Sequence, residues 1–399
     1  MTVPPRYTAA WAHAQALSLL AFHDGTALPA GGFAAPGLDG TPQLKGPRGR
    51  GPARPLHETC RMVHAYAIGQ AMGHPGAAAQ VAHGMKTLFE NHHDPRHGGF
   101  WWSFDDAGPL DTTKQAYGHA FVLLAAASAQ GAGHPQAGAL RDLARAAIRD
   151  RFWEESPGAV RDSASEDWQD CPAYRGQNAN MHLTEALLAS HAAWGDPEDL
   201  HRALGIAELI INRHARACGW VVAEHFDSAW QIDRDYDGDA MFRPSGTTPG
   251  HALEWSRLLL ELHAALPAPP AWLTEAAEAL FTRAMAEAWR PEGGLAYTLD
   301  WSGAVSRDWR FWWPCAEAIA AAATLFRHTG DSGYDAWHQR LLEHADRVLI
   351  DHARGGWFHQ VDSAGRPLET LFPGKPDIYH ALTALTVSAS GFTPGKAGE

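Results

Sequence analysis

Thr247-Thr248-Pro249-Gly250-His251-Ala252-Leu253-Glu254-Trp255 opens a strongly apolar run in the second half of the chain. Thr248 can cap a helix, and Pro249 suits the first helical position, where no backbone donor is needed. His251 then lies in the first turn, and Glu254 follows three residues later on the same face. The stretch therefore predicts a buried helix whose positive amino end presents an imidazole and a carboxylate together.

A second stretch, Gly374-Lys375-Pro376-Asp377-Ile378-Tyr379-His380-Ala381-Leu382, follows the same plan. Here too a proline starts an apolar helix, and His380 lies in its opening turns. We therefore predict that His251 and His380, although far apart in the chain, face each other across one ligand pocket.

Glycine-rich turns recur at a nearly constant spacing. Most of them are glycine pairs followed by a bulky apolar residue, as in Gly98-Gly99-Phe100 and Gly355-Gly356-Trp357. The intervals of 67, 59, 61, 75 and 62 residues separate Gly32, Gly99, Gly158, Gly219, Gly294 and Gly356. A period of about 60 residues with helical periodicity on both sides indicates a repeat of helix pairs.

Each repeat is predicted to hold a charged outer helix, a connection with a short hairpin, and a more apolar inner helix. The predicted outer helices are 8–22, 76–92, 134–153, 197–216, 271–289 and 332–352. The predicted inner helices are 57–73, 114–130, 179–194, 250–265, 314–329 and 376–389. Six such pairs predict an all-α fold, a closed (α/α)6 barrel. We expect one domain over residues 1–399, with a mobile tail at about 393–399.

The inner helices are predicted to run in the same direction, so their amino ends share one rim. Beyond their first turns these helices become almost purely apolar, which marks the rim as the candidate site. The polar and aromatic residues that collect there are Arg61, His64, Lys114, Tyr117, His119, Asn178, Asn180, His182, Glu185, His251, Glu254, Trp312, Trp313, Glu317, Asp377, Tyr379 and His380.

Converging helix amino ends favour an anion that is bound or develops at the rim, such as an enediolate. The same field lowers a histidine's pKa, so that the neutral imidazole can act as a base near pH 7. With Glu254 or Asp377 to orient one of them or to restore its proton, His251 and His380 can move a proton between neighbouring carbons of an open-chain aldose. Return of the proton to C1 makes the ketose, and return to C2 from the other face makes the epimer.

Charge and cysteine content exclude several other classes of protein. A net charge of -13 argues against a nucleic-acid partner, since phosphate binding needs a basic surface. No apolar run is long enough for a membrane helix, and the amino end lacks a signal-peptide pattern. The four cysteines lie far apart without a C-x-x-C pair, which favours reduced thiols in a cytoplasmic enzyme. We expect a monomer or homodimer that binds a small sugar.

Seven segments carry a family resemblance, and they are residues 59–66, 178–188, 224–226, 242–244, 248–255, 312–314 and 375–380. Together they resemble the N-acylglucosamine 2-epimerase superfamily and, within it, the D-mannose isomerase and sulfoquinovose isomerase branch. The resemblance implies an (α/α)6 barrel that works without a metal or another cofactor. It also implies His251 and His380 as the acid/base pair, with Arg61, His182, Arg243 and Glu254 in the pocket. His182 would assist ring opening.

Within that branch we favour interconversion of D-mannose and D-fructose, with D-lyxose and D-xylulose as a second pair. The alternatives on the same scaffold are a sugar 2-epimerase and a sulfoquinovose isomerase, which would need Arg61, Arg243 and Gln360 for the sulfonate. A glycoside hydrolase that uses Asp377 and Glu254 is a more distant alternative.

Three further interpretations of single residues stay open. His251 and Glu254 have the spacing of a metal pair, to which Glu224 and His225 could add ligands. Arg61 could bridge a carboxylate such as Glu317 instead of binding substrate. A non-catalytic sugar-binding protein is disfavoured, because binding alone does not need two proline-led histidines.

Overall fold

The computed structural model describes residues 7–46 and 49–390. Within them it contains twelve α-helices, each of which begins within about three residues of its predicted span. They are α1 Ala9–His23, α2 Leu56–Ala71, α3 Ala77–Thr87, α4 Ala116–Gly131, α5 Ala137–Ala147, α6 Gln177–Trp194, α7 Pro197–Ala207, α8 Pro249–Ala265, α9 Trp272–Ala288, α10 Trp312–Thr329, α11 Ser332–His344 and α12 Tyr379–Ser390. The four outer helices α3, α5, α7 and α11 end earlier than predicted, where a π-helical turn follows. The predicted tail at 393–399 lies outside the described residues.

The start of α12 differs most from the prediction. Pro376 was expected to open this helix, but the helix begins at Tyr379. Pro376 and Asp377 belong to the connection before it, and an Asp377 carboxyl oxygen accepts a hydrogen bond from the His380 backbone nitrogen at 3.3 Å. The Asp377 side chain therefore caps the amino end of the helix. His380 still lies in the first turn.

The inner helices form a closed ring. Each of α2, α4, α6, α8 and α10 contacts the next inner helix, and α12 contacts α2. The outer helices α3, α5, α7, α9 and α11 pack mainly against the inner helix that precedes them, and α1 packs against α12. The (α/α)6 barrel is thus confirmed, and its first and last helices lie side by side.

Four outer helices end in a wider, π-helical turn before the chain reverses. These turns are Leu88–His92, Ile148–Phe152, Glu208–Ala215 and Ala345–Leu349. The reversal that follows α3 needs the glycine pair, because Gly98 and Gly99 have φ of 75° and 70°. A Cβ on Gly99 would lie 2.7 Å from Trp168 Cζ2. Glycine is therefore required here both for backbone conformation and for space.

Short antiparallel strands connect neighbouring repeats at the rim, as the predicted hairpins required. One sheet has the order β1-β2-β3, and the other strands pair as β4-β7, β5-β6, β8-β9, β10-β11 and β12-β13. The strands are β1 Arg54–Pro55, β2 Ser103–Asp105, β3 Gly108–Asp111, β4 Lys114–Gln115, β5 Trp153–Glu154, β6 Ala159–Val160, β7 Ser163–Ala164, β8 Arg175–Gly176, β9 His225–Phe226, β10 Thr298–Leu299, β11 Val305–Arg307, β12 Arg310–Phe311 and β13 Gln360–Val361.

A buried cation precedes five of the six inner helices and pairs with an acid near a glycine turn or a hairpin. Lys114 Nζ lies 2.7 Å from Asp94 Oδ2, and Lys375 Nζ lies 2.6 Å from Asp351 Oδ2. Before α8 the corresponding position is taken by threonines instead of a cation. The five cations are Arg54, Lys114, Arg175, Arg310 and Lys375.

Helix length and cysteine pairing are the last two features of the fold. Within residues 7–46 and 49–390, every helix is too short or too polar to span a bilayer. Cys60, Cys171, Cys218 and Cys315 are all free thiols.

Candidate functional site

A cavity of about 380 Å³ opens where the amino ends of the inner helices converge. All six inner helices, or the residues directly before them, contribute to its wall, as the rim prediction required. Side chains from the connections complete it. The predicted site residues that line it are Arg61, Tyr117, His182, His251, Glu254, Trp312, Asp377 and His380.

The orientation of the His251 ring is fixed by Glu224, which contacts its Nδ1. Its Nδ1 lies 2.9 and 3.0 Å from the two Glu224 carboxyl oxygens. Burial opposes ionisation of Glu224, but His251 and a hydrogen bond from Gln177 stabilise the carboxylate, so its pKa is lowered. An Nδ1–H donated to this carboxylate leaves Nε2 as the basic nitrogen of the ring.

His380 has the same arrangement with a different carboxylate. Its Nδ1 lies 2.7 Å from Glu317 Oε1, and its Nε2 lies 3.5 Å from Arg61 Nη2. Since a guanidinium can only donate, Nε2 carries the lone pair. The Trp313 ring lies between the two imidazoles, with its centroid 5.0 Å from that of His251 and 5.7 Å from that of His380. The two histidines therefore meet at one indole on the same wall.

The carboxylates that orient the histidines are not the predicted ones. We expected Glu254 or Asp377 in this role, whereas Glu224 and Glu317 occupy it. Asp377 instead pairs with Arg61, with Oδ1 2.9 Å from Nη1, and its Oδ2 accepts from Trp312 Nε1 at 3.2 Å. The expectation was wrong because proximity in sequence does not decide which carboxylate reaches the Nδ1 side of a ring.

Arg61 is positioned by several groups at once. Besides its ion pair with Asp377, its Nη2 donates to the Tyr117 hydroxyl at 2.9 Å. Its guanidinium also lies over the rings of Phe121 and Tyr379, 4.6 and 4.7 Å from their centroids. Arg61 therefore forms its ion pair with Asp377 and not with Glu317, the partner that the sequence had suggested. Arg61 is thus a rigidly held hydrogen-bond donor beside His380, and the positive charge of Arg61 is already balanced by Asp377.

Glu254 lies at the floor of the cavity and is 0% exposed. Neither of its carboxyl oxygens has a hydrogen-bond partner among the described residues. Burial raises its pKa well above the usual range, and the neighbouring Glu317 and Glu185 raise it further. These effects favour the protonated form of Glu254, which can donate a proton into the cavity.

His182 lies beside Glu254, with its Nδ1 3.6 Å from Glu254 Oε1. Burial lowers its pKa to about 4, so the imidazole is neutral at physiological pH. Tyr117 packs edge-on against it, with ring centroids 5.1 Å apart. A neutral base next to a neutral acid forms the inner end of the cavity.

The suggested metal site with His225 does not assemble. His225 Nδ1 is bonded to the Tyr174 hydroxyl at 2.9 Å, and its Nε2 lies 2.8 Å from the Pro244 carbonyl oxygen. Ligand atoms of Glu254, Glu317 and His380 do lie within 4.8 Å of one another, as do those of Glu254, His182 and Glu185.

Arg257 supplies positive charge among these carboxyls. Its Nη2 lies 3.3, 3.5 and 3.8 Å from Glu185, Glu317 and Glu254. A metal cation bound in the same cluster would therefore meet a fixed guanidinium.

Three predicted substrate contacts lie outside this cavity. Asn180 uses its amide entirely on the backbone: it accepts from Val160 N and donates to the carbonyls of Val160 and Gly176. His64 Nδ1 is bonded to Ser128 Oγ at 2.7 Å, behind the wall. These two predictions are wrong, because α2 and α6 are buried on most of their surface and helical periodicity does not reveal which side faces the cavity.

Arg243 lines a second cavity of about 260 Å³ beside the first. It forms an ion pair with Asp162, and its guanidinium lies 4.4 Å from the Tyr174 ring centroid. The prediction that Arg243 contacts substrate in the main pocket is therefore not supported.

The sequence prediction also missed residues that line the main cavity. His57 and Glu58 come from the first turn of α2, and Phe242 comes from the connection before α8. Glu317 was placed at the rim and named as a possible partner of Arg61, but not as the partner of His380, and Glu224 was named as a possible metal ligand, but not as the partner of His251. A lone glutamate within the alanine-rich run of α10 was the available signal for Glu317, because an unpaired charge does not persist in an apolar helix.

Comparisons with known proteins agree with this geometry. A family model described as N-acylglucosamine 2-epimerase (GlcNAc 2-epimerase) matches residues 32–384. The D-mannose isomerase of Thermobifida fusca is 41% identical over 398 residues, covering 98% of this chain and 96% of the relative. The D-mannose isomerase of Pseudomonas cannabina pv. alisalensis is 43% identical over 350 residues, covering 85% and 84%.

A solved structure shows the same likeness in three dimensions. A crystal structure of D-mannose isomerase superposes with a TM-score of 0.89 at 30% identity and covers 98% of this chain and 100% of that chain. The family-model match, the two relatives and this structure lead to one assignment: the chain belongs to the N-acylglucosamine 2-epimerase family.

Proposed function

We propose that the protein is an aldose–ketose isomerase that interconverts D-mannose and D-fructose and also converts D-lyxose to D-xylulose. The observation that carries this proposal is the pair of imidazoles, His251 and His380, each fixed through Nδ1 by a buried carboxylate and meeting at Trp313. The names of the relatives support the choice of sugar. We further propose that it works in the cytoplasm, in keeping with its four free thiols.

The proposed chemistry moves one proton between C2 and C1. An imidazole Nε2 takes the proton from C2 of the open-chain aldose, and the C2–H electrons form the C1=C2 bond. O1 receives a proton from the neutral Glu254, which gives a cis-enediol. Glu254 then takes the O2 proton as the C2 carbonyl forms, and the imidazolium returns its proton to C1. Each proton-transfer group of this kind typically contributes about 10²–10⁴-fold.

The other polar groups bind and prepare the sugar. His182, which is neutral because burial lowers its pKa to about 4, can accept the anomeric hydroxyl proton during ring opening. Arg61 donates towards the sugar oxygens and to the charge that develops on the enediol. The negative charges of Glu224 and Glu317 stabilise whichever imidazolium forms.

A neutral hexose fits this cavity better than a sulfonated one. Arg61 is already paired with Asp377, and Arg243 is paired with Asp162 outside the main cavity. Gln360, which a sulfonate would also need, binds the Thr370 hydroxyl and the Leu371 backbone nitrogen through its Oε1. The two cations expected for sulfoquinovose are therefore already paired with carboxylates, and Gln360 is not among the residues that line the main cavity.

Incubation of the protein with D-mannose in deuterated water containing EDTA tests the proposal. NMR should identify fructose as the first product, with deuterium at C1, because the catalytic imidazole exchanges its proton with solvent. His251→Ala and His380→Ala should each remove turnover while circular dichroism shows an intact helical fold.

Three outcomes would contradict the proposal. Glucose as the first product would indicate a 2-epimerase. Release of reducing ends from mannose oligosaccharides, without deuterium uptake, would indicate a hydrolase. Full turnover in both histidine variants would remove the mechanism.

A further inference from the structure

Glu58 is a carboxyl group on the cavity wall that the proposed proton transfers do not use. It lies in the first turn of α2 and is partly exposed to the cavity. A glutamate at this helical position commonly bonds back to the N-cap backbone nitrogen, but the N-cap here is Pro55, which has no N–H. Across the described residues Glu58 has no hydrogen bond or ion pair. Helix capping therefore does not explain it.

The position of Glu58 assigns it to one end of the bound sugar. It precedes Arg61 by three residues on the same face of α2, which places it about one helical turn nearer the mouth. The reacting groups His251, His380 and Glu254 are buried deeper, whereas Phe242 at the mouth is 39% exposed. A hexose with C1 and C2 at the histidines therefore directs C4 to C6 towards Glu58.

Among the side chains that line the cavity, no cation is free to balance the negative charge of an ionised Glu58. The other carboxyl and guanidinium groups on the wall are Arg61 and Asp377, which pair with each other, and Glu254, whose pKa is raised well above the usual range by burial. Burial raises the pKa of Glu58 to about 7, Arg61 lowers it and Asp377 raises it. The side chain is thus ionised in mildly alkaline solution.

We propose that Glu58 is a specificity-determining residue, which binds hydroxyl groups at the C4–C6 end of the sugar and excludes sugars that carry an anion there. This inference rests on the proposed function for the orientation of the sugar. An ionised carboxylate accepts hydrogen bonds from hydroxyl groups and repels a second anion within a few ångströms.

Binding measurements on a matched pair of sugars test this role without requiring turnover. D-mannuronate and D-mannuronamide have nearly the same shape at C6 and differ in charge. Calorimetry at pH 8.5 should show that the wild-type protein binds the amide at least tenfold more tightly than the acid. In Glu58→Gln the ratio of the two Kd values should fall towards one, and in Glu58→Asp, which keeps the charge, it should stay high.

Equal Kd values for acid and amide in the wild-type protein would overturn the proposal, and so would an unchanged ratio in Glu58→Gln. Failure of the isomerase proposal gives a different result, namely no conversion of mannose by the wild-type protein, whatever the two Kd values are. Turnover of the acid and the amide by the variants then shows whether discrimination in binding carries over to kcat/KM.

Discussion

His251 and His380 each depend on a carboxylate that never touches the sugar in the proposed reaction. Glu317 lies 2.7 Å from His380 Nδ1, and Glu224 lies 2.9 Å from His251 Nδ1. A buried carboxylate at Nδ1 selects the tautomer with a basic Nε2 and stabilises the imidazolium after proton abstraction. Glu224 and Glu317 are therefore positioning residues.

Replacing Glu317 by glutamine should lower kcat for mannose by about 10²–10⁴-fold with little change in KM, because the amide can hold the wrong tautomer and carries no charge. The pH–rate profile and the nitrogen NMR shifts of His380 should change with it. Glu261→Gln is the matched control, since Glu261 is bonded to the same Arg257, at 3.0 Å, without touching a histidine. Equal losses in both variants would mean that Glu317 acts only through the stability of the cluster.

At this scale the sequence predicted the histidines but not their partners. His251 and His380 follow proline-led helix starts, a signal that is local in sequence. Glu224 reaches His251 from the connection before β9, and such a contact depends on the folded path of the chain. Asn180 and His64 were misplaced for a related reason: the inner helices are buried almost all round, so hydrophobic periodicity cannot identify a cavity-facing side.

Among the secondary-structure elements, the turns after the outer helices determine how the repeats join. Their glycines adopt positive φ, and the bulky residue that follows, such as Phe100 or Trp357, is buried. The period of about 60 residues was visible because this turn needs glycine for a physical reason. The cations before the inner helices were not recognised, since single lysines and arginines occur throughout any sequence.

Comparing Gly99→Ala with Gly133→Ala separates the two reasons for glycine at such a position, namely the positive φ and the lack of space for a Cβ. Both residues have positive φ, 70° and 75°, but a Cβ on Gly133 meets nothing within 4 Å. Gly133→Ala should therefore cost only the conformational term, about 1–2 kcal/mol. Gly99→Ala should cost about 1–3 kcal/mol more, because Trp168 and His119 must move. Thermal unfolding of the two variants measures the difference, and equal losses would show that space at Gly99 is not limiting.

Over the whole molecule, buried histidines couple folding to pH. Five that are fully enclosed have lowered pKa values because burial disfavours the charged ring. These values are about 4 for His64 and His182, and about 3 for His92, His119 and His359. In the unfolded chain their pKa is near 6.5, so between the folded and unfolded values the unfolded chain binds more protons.

Stability should therefore fall as the pH decreases below about 6.5, by up to about 1.4 kcal/mol per pH unit for each such histidine. The melting temperature should drop steeply from pH 6.5 to pH 5 and change little between pH 7 and pH 8. His119→Gln should melt at a lower temperature at every pH but with a shallower slope below pH 6.5. A melting temperature independent of pH between 5 and 7 would contradict this account.

The order of helices and the barrel could be predicted at this scale, because a repeat with two helices per unit has few ways to bury its inner faces. The contacts that close the ring are not visible in the sequence, since they join α12 to both α1 and α2, at opposite ends of the chain. The late start of α12 was missed because proline marks a helix boundary without fixing which side of it the helix occupies.

That closing contact has a consequence for protein synthesis. During translation α1 leaves the ribosome long before α12, and the surface of α1 that packs against α12 stays uncovered until α12, which also brings His380, has been made. A nascent chain that stops after α11 therefore has no complete cavity, and it exposes apolar surface that α12 covers in the complete protein. The helix that closes the barrel is thus also the one that completes the proposed proton-transfer site.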